Sequence, residues 1–251
     1  MVGTGVTCPL IRIHPAIVAQ AAATSACLLP GRFFLGVGTG ENLNEHVTGA
    51  KWPAPDERLE MLEEAVDAMR TLWNGGYQTH RGKHYTAENL RIFDLPDKSV
   101  EVAVAAMQPQ AAQLAGKIGD ALINVAPKQE IVQKFDESGG TGKPKYGQVT
   151  VCWAKSKDEA KKTAFDNWPN ILVEGSASQE LPLPSDFEQL VEDREPDDLE
   201  GALPLGPDAD EYLEHLQEYE KAGYTHVCVH QIGSDQDGFL EFAKRELIPK
   251  L

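Results

Sequence analysis

The sequence predicts an α/β fold built around a parallel sheet. Short β-rich runs alternate with helical stretches through all 251 residues, the order produced by successive β/α units. The runs Arg32 to Val37 (RFFLGV) and Val100 to Ala105 (VEVAVA) are apolar almost throughout, as strands covered by helices on both faces are. A balance of 41% apolar to 25% charged residues belongs to a folded chain with a sizeable core.

Val2 to Cys8 (VGTGVTC) reads as the first strand and Pro15 to Leu28 as an Ala-rich helix. Arg32 to Val37 ends in glycines, as a buried parallel strand does. Leu59, Leu62, Val66, Met69 and Trp73 recur at spacings of three and four, one face of a helix that begins near Asp56 and stops at Gly75-Gly76. Tyr77 to Tyr85 is expected to form a hairpin around Arg81-Gly82, with an extended stretch on to Pro96. Strand and helix then alternate: Val100 to Ala105, Gln110 to Ile118, Ala121 to Val125, Gln129 to Glu137, Tyr146 to Ala154, and Asp158 to Trp168. A Pro-rich acidic excursion with some helix occupies 170–207. Helix Ala209 to Ala222, strand Thr225 to Gln231 and helix Gly238 to Leu247 close the chain. The count is six β/α units, in a sheet either closed as a barrel or open and doubly wound. A complete (β/α)8 barrel needs eight strands in about 250 residues, and the excursion consumes the length of the missing pair.

The formal charge of −16 repels phosphate backbones and excludes nucleic acid as a natural partner. It suits a high-salt cytoplasm, where screening lengths shrink to about 3 Å near 1 M salt. No run approaches the roughly 18 apolar residues of a membrane span, and no charged-then-apolar leader opens the chain. A cytoplasmic address is the expectation. Cys8, Cys27, Cys152 and Cys228 lie far apart without a CxxC or Cys/His cluster, which argues for buried reduced thiols and against zinc or a disulfide framework.

The densest chemical signal is Gly36-Val37-Gly38-Thr39-Gly40-Glu41-Asn42-Leu43-Asn44-Glu45. Glycines directly after a buried strand let backbone approach a ligand and turn amides toward it. The spacing is not that of a dinucleotide fingerprint. Thr39, Glu41 and Asn44 put polar groups at the strand's carboxyl end. Gly5 to Pro9 and Ala105 to Pro109 end two further strands. Lys128 is a lone lysine at a helix start, where an anion would account for it. His80 and His84 straddle the hairpin and do not suggest metal ligation. His226 and His230 share a face of the last strand, and His230 is a candidate substrate contact.

At these residues the chain resembles the luciferase-like flavin and deazaflavin oxidoreductases, in the branch of the coenzyme F420-dependent glucose-6-phosphate dehydrogenases. The resemblance rests on GVTCP at 5–9, HPAIVAQAAAT at 14–24, PGRFFLGVGTGENLNEH at 30–46, RLEMLEEAVDAMRTLW at 58–73, QLAGKIGD at 113–120 and AGYTHVCVHQ at 222–231. It implies a (β/α)8 barrel that binds an 8-hydroxy-5-deazaflavin at the carboxyl ends of its strands, incomplete here with about six β/α units. Gly5 and Val6 match a cis peptide that bulges against the deazaflavin ring. Thr39, Gly40 and Asn44 match positions that hold the coenzyme, and Glu41 matches an acid that takes or gives a proton. Lys128 matches a lysine that contacts substrate phosphate.

Cys8 replaces a threonine that contacts the coenzyme, and Met107-Gln108 replace a glycine pair against the coenzyme tail. Val125 replaces a threonine that touches sugar phosphate, which argues against glucose 6-phosphate as substrate. The resemblance makes 1–251 one barrel domain that begins at the family's third strand, without the strand-two Asp-His pair. It implies a natural start about 70 residues upstream in preference to a second chain covering the gap.

The expected function is that of an F420-dependent oxidoreductase moving hydride between the coenzyme and a small organic substrate. An FMN-dependent luciferase-like monooxygenase and a truncated, catalytically inactive barrel fragment are the alternatives. A homodimer is implied by the resemblance alone.

Overall fold

The computed structural model describes residues 1–173, 175 and 177–251. The chain divides into two compact units, one of 1–123 with 130–145 and the other of 124–129 with 146–251.

In the first unit four parallel strands run in the order β1 (Val2–Gly3), β2 (Phe33–Val37), β5 (Glu101–Ala105) and β6 (Ala121–Asn124). Helices α1 (Pro15–Leu28), α3 (Pro55–Leu72) and α4 (Pro109–Ile118) return the chain between them, with a short α2 (Asn42–Glu45) after β2. An antiparallel hairpin, β3 (Gln78–Arg81) with β4 (Thr86–Leu90), follows α3. Helix α5 (Gln129–Phe135) continues into a wider turn at Asp136–Gly140.

Sequence chemistry accounts for this packing. The buried positions of α1 are mainly alanines (Ala16, Ala19, Ala22, Ala23, Ala26), so its backbone lies close to β2 and α3. Where α3 ends, the Trp73 indole donates to the Ala19 carbonyl at 2.9 Å and ties the two helices together. Leu62, Val66, Met69 and Leu72 face inward from α3, each at most 1% exposed; truncating Leu62, Met69 or Leu72 to alanine would remove about 2–5 kcal/mol. Asp120 joins three elements: it accepts the Val102 amide at 2.9 Å and pairs with Arg70 at 3.1 Å.

In the second unit β7 (Lys145–Val151) pairs in parallel with β8 (His226–Gln231), from Tyr146 opposite His226 to Val151 opposite Gln231. Alternate residues of β7 are buried, and Gly147 leaves room for the Tyr219 ring of α9 (Ala209–Ala222). The Tyr219 hydroxyl donates to the Gln148 carbonyl at 2.6 Å. Helix α6 (Lys157–Asn167), α7 (Ala177–Glu180) and α8 (Pro184–Leu190) lie between β7 and α9, and α10 (Gln236–Phe242) follows β8.

The excursion has a small core of its own. Ala160 and Ala164 of α6 pack with Leu199, Leu203 and Leu205 around Cys152. Its returning end is held at Cys152, whose amide donates to the Pro204 carbonyl at 3.0 Å and whose carbonyl accepts from Gly206 at 2.9 Å. Of the expected excursion at 170–207, Glu174 and Ser176 lie outside the described residues.

Two sequence expectations are corrected. The first strand is Val2–Gly3, not Val2 to Cys8: the Thr4 hydroxyl takes over from the ladder, accepting the Gly36 amide at 3.0 Å and donating to the Gly36 carbonyl at 2.9 Å. The thiols are free as expected but not uniformly buried. Cys152 is buried and Cys8 half-buried, whereas Cys27 and Cys228 are exposed, because they fall on the outward faces of α1 and β8.

Candidate active site

The carboxyl ends of β1, β2 and β5 carry the residues singled out in the first unit, the end at which parallel α/β sheets bind ligands. After Thr4 the chain runs beside the end of β2: the Thr7 amide donates to Gly36 at 2.8 Å, and the Gly38 amide donates to Thr7 at 3.1 Å. The Gly5–Val6 peptide between these anchors is cis. Val6 is 40% exposed, and the space where a Gly5 side chain would project is open. A Cβ at Gly38 would stand 2.9 Å from a Val6 methyl and 3.4 Å from the Ala105 Cβ. The glycine therefore lets the three strand ends come together. Met107 and Gln108 follow the buried Ala106 just after β5, and both are exposed.

Gly40 has a φ of +80°, a conformation that side chains rarely adopt. It turns the chain so that Glu41 becomes the N-cap residue of α2, its carbonyl accepting from Asn44 and Glu45. The Asn44 amide side chain donates to the Glu41 carboxylate at 3.3 Å. Thr39 is half-buried, and Glu41 and Asn44 are open to solvent. Neighbouring chain removes part of the water around the Glu41 carboxyl and raises its pKa above the ordinary carboxylate value. Glu41 is thus a carboxyl suited to holding a proton at an open strand mouth.

In the second unit Lys128 is exposed, with no side-chain hydrogen bond or ion pair among the described residues. Its turn is held by the Asn124 side chain, which accepts the Ala126 amide at 3.0 Å, and by the Tyr224 hydroxyl, which donates to the Ala126 carbonyl at 3.0 Å. Val125 beside it is 49% exposed. His230 is half-buried, with Nδ1 3.5 Å from the Thr150 hydroxyl and its ring edge-on to Trp168 at 5.3 Å.

Gly5, Val6, Thr39, Gly40, Glu41 and Asn44 are therefore brought together, with Cys8, Met107 and Gln108 adjoining them, whereas Lys128 and His230 belong to the other unit. Sequence reasoning missed Glu45, Trp168 and Tyr85. Glu45 lay inside the glycine-rich stretch and its acidity was the available signal. Tyr85 donates to the Leu10 carbonyl at 3.0 Å across 75 positions, a contact with no local signature.

Comparison with known proteins identifies the family. The profile of the luciferase-like monooxygenase family matches residues 1–226. The F420-dependent glucose-6-phosphate dehydrogenase of Nocardia farcinica is 35% identical over 265 residues, covering 99% of this chain and 78% of that protein. Its counterpart from Mycobacterium avium is 35% identical over 268 residues, with the same coverage of each. Among solved structures, an F420-dependent secondary alcohol dehydrogenase in complex with an F420-acetone adduct superposes with a TM-score of 0.87 at 26% identity, over 98% of this chain and 78% of that one. With a family match over most of its length, relatives above 30% identity and a shared fold, this chain belongs to the luciferase-like monooxygenase family.

Proposed function

We propose that this protein is a coenzyme F420-dependent oxidoreductase acting on a small, unphosphorylated organic substrate. One observation carries the reading: the open face at Gly5 and Val6 adjoins the glycine turn that presents Glu41 and Asn44. A flat ring fits such a face because no side chain fills the space at Gly5. The relatives at 35% identity, named as F420-dependent, support a deazaflavin as that ring. Bound there, the deazaflavin would accept or donate hydride.

The chain's own residues supply position and proton control. Gly5, Val6 and Cys8 would back the ring, and Thr39, Gly40 and Asn44 would hold it by backbone and amide contacts. Met107 and Gln108 would face its side chain. Glu41 would hold or release the proton that accompanies hydride transfer. His230 and Lys128 of the second unit are the residues proposed to contact substrate. The exposed methyl surface of Val125 favours an uncharged substrate such as a secondary alcohol over glucose 6-phosphate, and the name of the superposed dehydrogenase supports the same class.

Titration of the purified chain tests the reading. Quenching of deazaflavin fluorescence without FMN affinity is expected, followed by coenzyme reduction with 2-propanol and none with glucose 6-phosphate. FMN binding alone would favour a monooxygenase, and deazaflavin binding without turnover would favour an inactive fragment. Glu41→Gln is expected to lower kcat by about 10²–10⁴-fold while leaving coenzyme affinity within a few fold. The wild-type rate in the direction that needs an acid falls as pH rises through the raised Glu41 pKa, a dependence the variant lacks. Light scattering tests the homodimer.

A further inference from the structure

We propose that Glu45 is a positioning residue of the ring cradle: its buried carboxylate ties the loop carrying Val6 and Cys8 to the glycine turn carrying Glu41 and Asn44. The proposal rests on the deazaflavin reading above.

Glu45 is 1% exposed. Burying a carboxylate is unfavourable by several kcal/mol unless its oxygens are well partnered, and these are partnered sparsely. Oε2 accepts the Arg12 backbone amide at 3.0 Å. Oε1 makes no hydrogen bond and lies 3.6 Å from Arg12 Nε, whose side chain is 45% exposed. An apolar residue of similar size would fill this space without that penalty, so packing does not account for the acid. Its position does. The Arg12 amide lies 33 residues away in sequence, just beyond the strand-end segment of Gly5, Val6 and Cys8.

Two further observations place Glu45 under the cradle. A Cβ at Gly40 would meet the Cys8 sulfur at 2.6 Å and Glu45 Cγ at 3.3 Å, so the turn closes directly onto both side chains. The Cys8 thiol is pushed up to about 12, first by burial and then by the Glu45 charge, and it stays protonated as a weak donor against the carboxylate. The Tyr85 hydroxyl holds the same loop separately at Leu10, between Cys8 and Arg12. Glu45 is the contact that joins this loop to the glycine turn.

The test uses a chain carrying Cys27→Ser and Cys228→Ser, so that Cys8 reports alone beside the fully buried Cys152. Glu45→Gln in this background is expected to weaken deazaflavin affinity about tenfold or more, raising the coenzyme KM more than it lowers kcat. In the ligand-free chain Cys8 should alkylate about tenfold faster at pH 9, because loss of the neighbouring negative charge lowers the thiol pKa. Wild-type affinity in Glu45→Gln, or unchanged alkylation, overturns the proposal. If Glu45→Gln fails to fold, Glu45→Asp decides: it keeps the charge and shortens the reach, so weakened binding supports the tether and unchanged binding overturns it. If the parent chain binds no deazaflavin yet Glu45→Gln still speeds alkylation, the placement of Glu45 against Cys8 stands and the cofactor reading fails.

Discussion

Two glutamates of the first unit hold loops at long range, and their surroundings differ. Glu64, on α3, accepts the amides of Lys83 at 2.9 Å, His84 at 3.0 Å and Tyr85 at 2.7 Å, with the His80 ring at 3.4 Å. It clamps the hairpin turn. Glu45 is more deeply buried and accepts one amide, with one oxygen left without a hydrogen bond. Burial disfavours charge on Glu64, but the Tyr85 and His84 amides, the His80 ring and the Lys83 amide outweigh it and lower the carboxyl pKa. The saturated carboxylate stabilises the fold, and the undersatisfied one is the group proposed above to position the cradle.

Matched substitutions sharpen this contrast. Glu64→Gln should reduce stability by about 1.5–3 kcal/mol, read from urea unfolding, because a side-chain amide cannot accept from all these donors. Its lowered folded pKa makes the contribution complete above the ordinary carboxylate pKa and loses it as pH falls through the folded value. The gap between wild type and variant should therefore close in acid. Glu45→Gln should change stability by about 1 kcal/mol or less, since the charge penalty disappears with the charge. A loss equal to that of Glu64→Gln would break the comparison. Smallest of all, Arg12→Ala should remove less than about 1 kcal/mol, and 1 M salt should shrink that further.

Periodic features were legible in the sequence. The three-four spacing of Leu62, Val66 and Met69 marks α3, and helices α1 and α9 have the bounds read from the sequence. The strand-end glycines and Glu41 were legible because backbone approach and a polar mouth leave compositional traces within ten residues. Long-range ties were not. Glu64 meets its hairpin about 20 positions away and Glu45 meets Arg12 at 33, and neither distance has a local pattern. The first strand read too long for a related reason: Val6 and Cys8 have strand-like chemistry, but the Thr4 hydroxyl replaces the ladder at that point. The outward Cys27 and Cys228 show that thiol burial follows the face of the element, which composition does not record.

The closure at Cys152 bears on β8. Both backbone hydrogen bonds of Cys152 go to the returning limb, at Pro204 and Gly206. That limb brings Leu199, Leu203 and Leu205, which pack with Ala160 and Ala164 around Cys152. Because loop-closure entropy grows only slowly with length, the span between Cys152 and Leu205 costs the fold little, and it brings Trp153 onto Gln231 and the Trp168 ring onto His230 of β8.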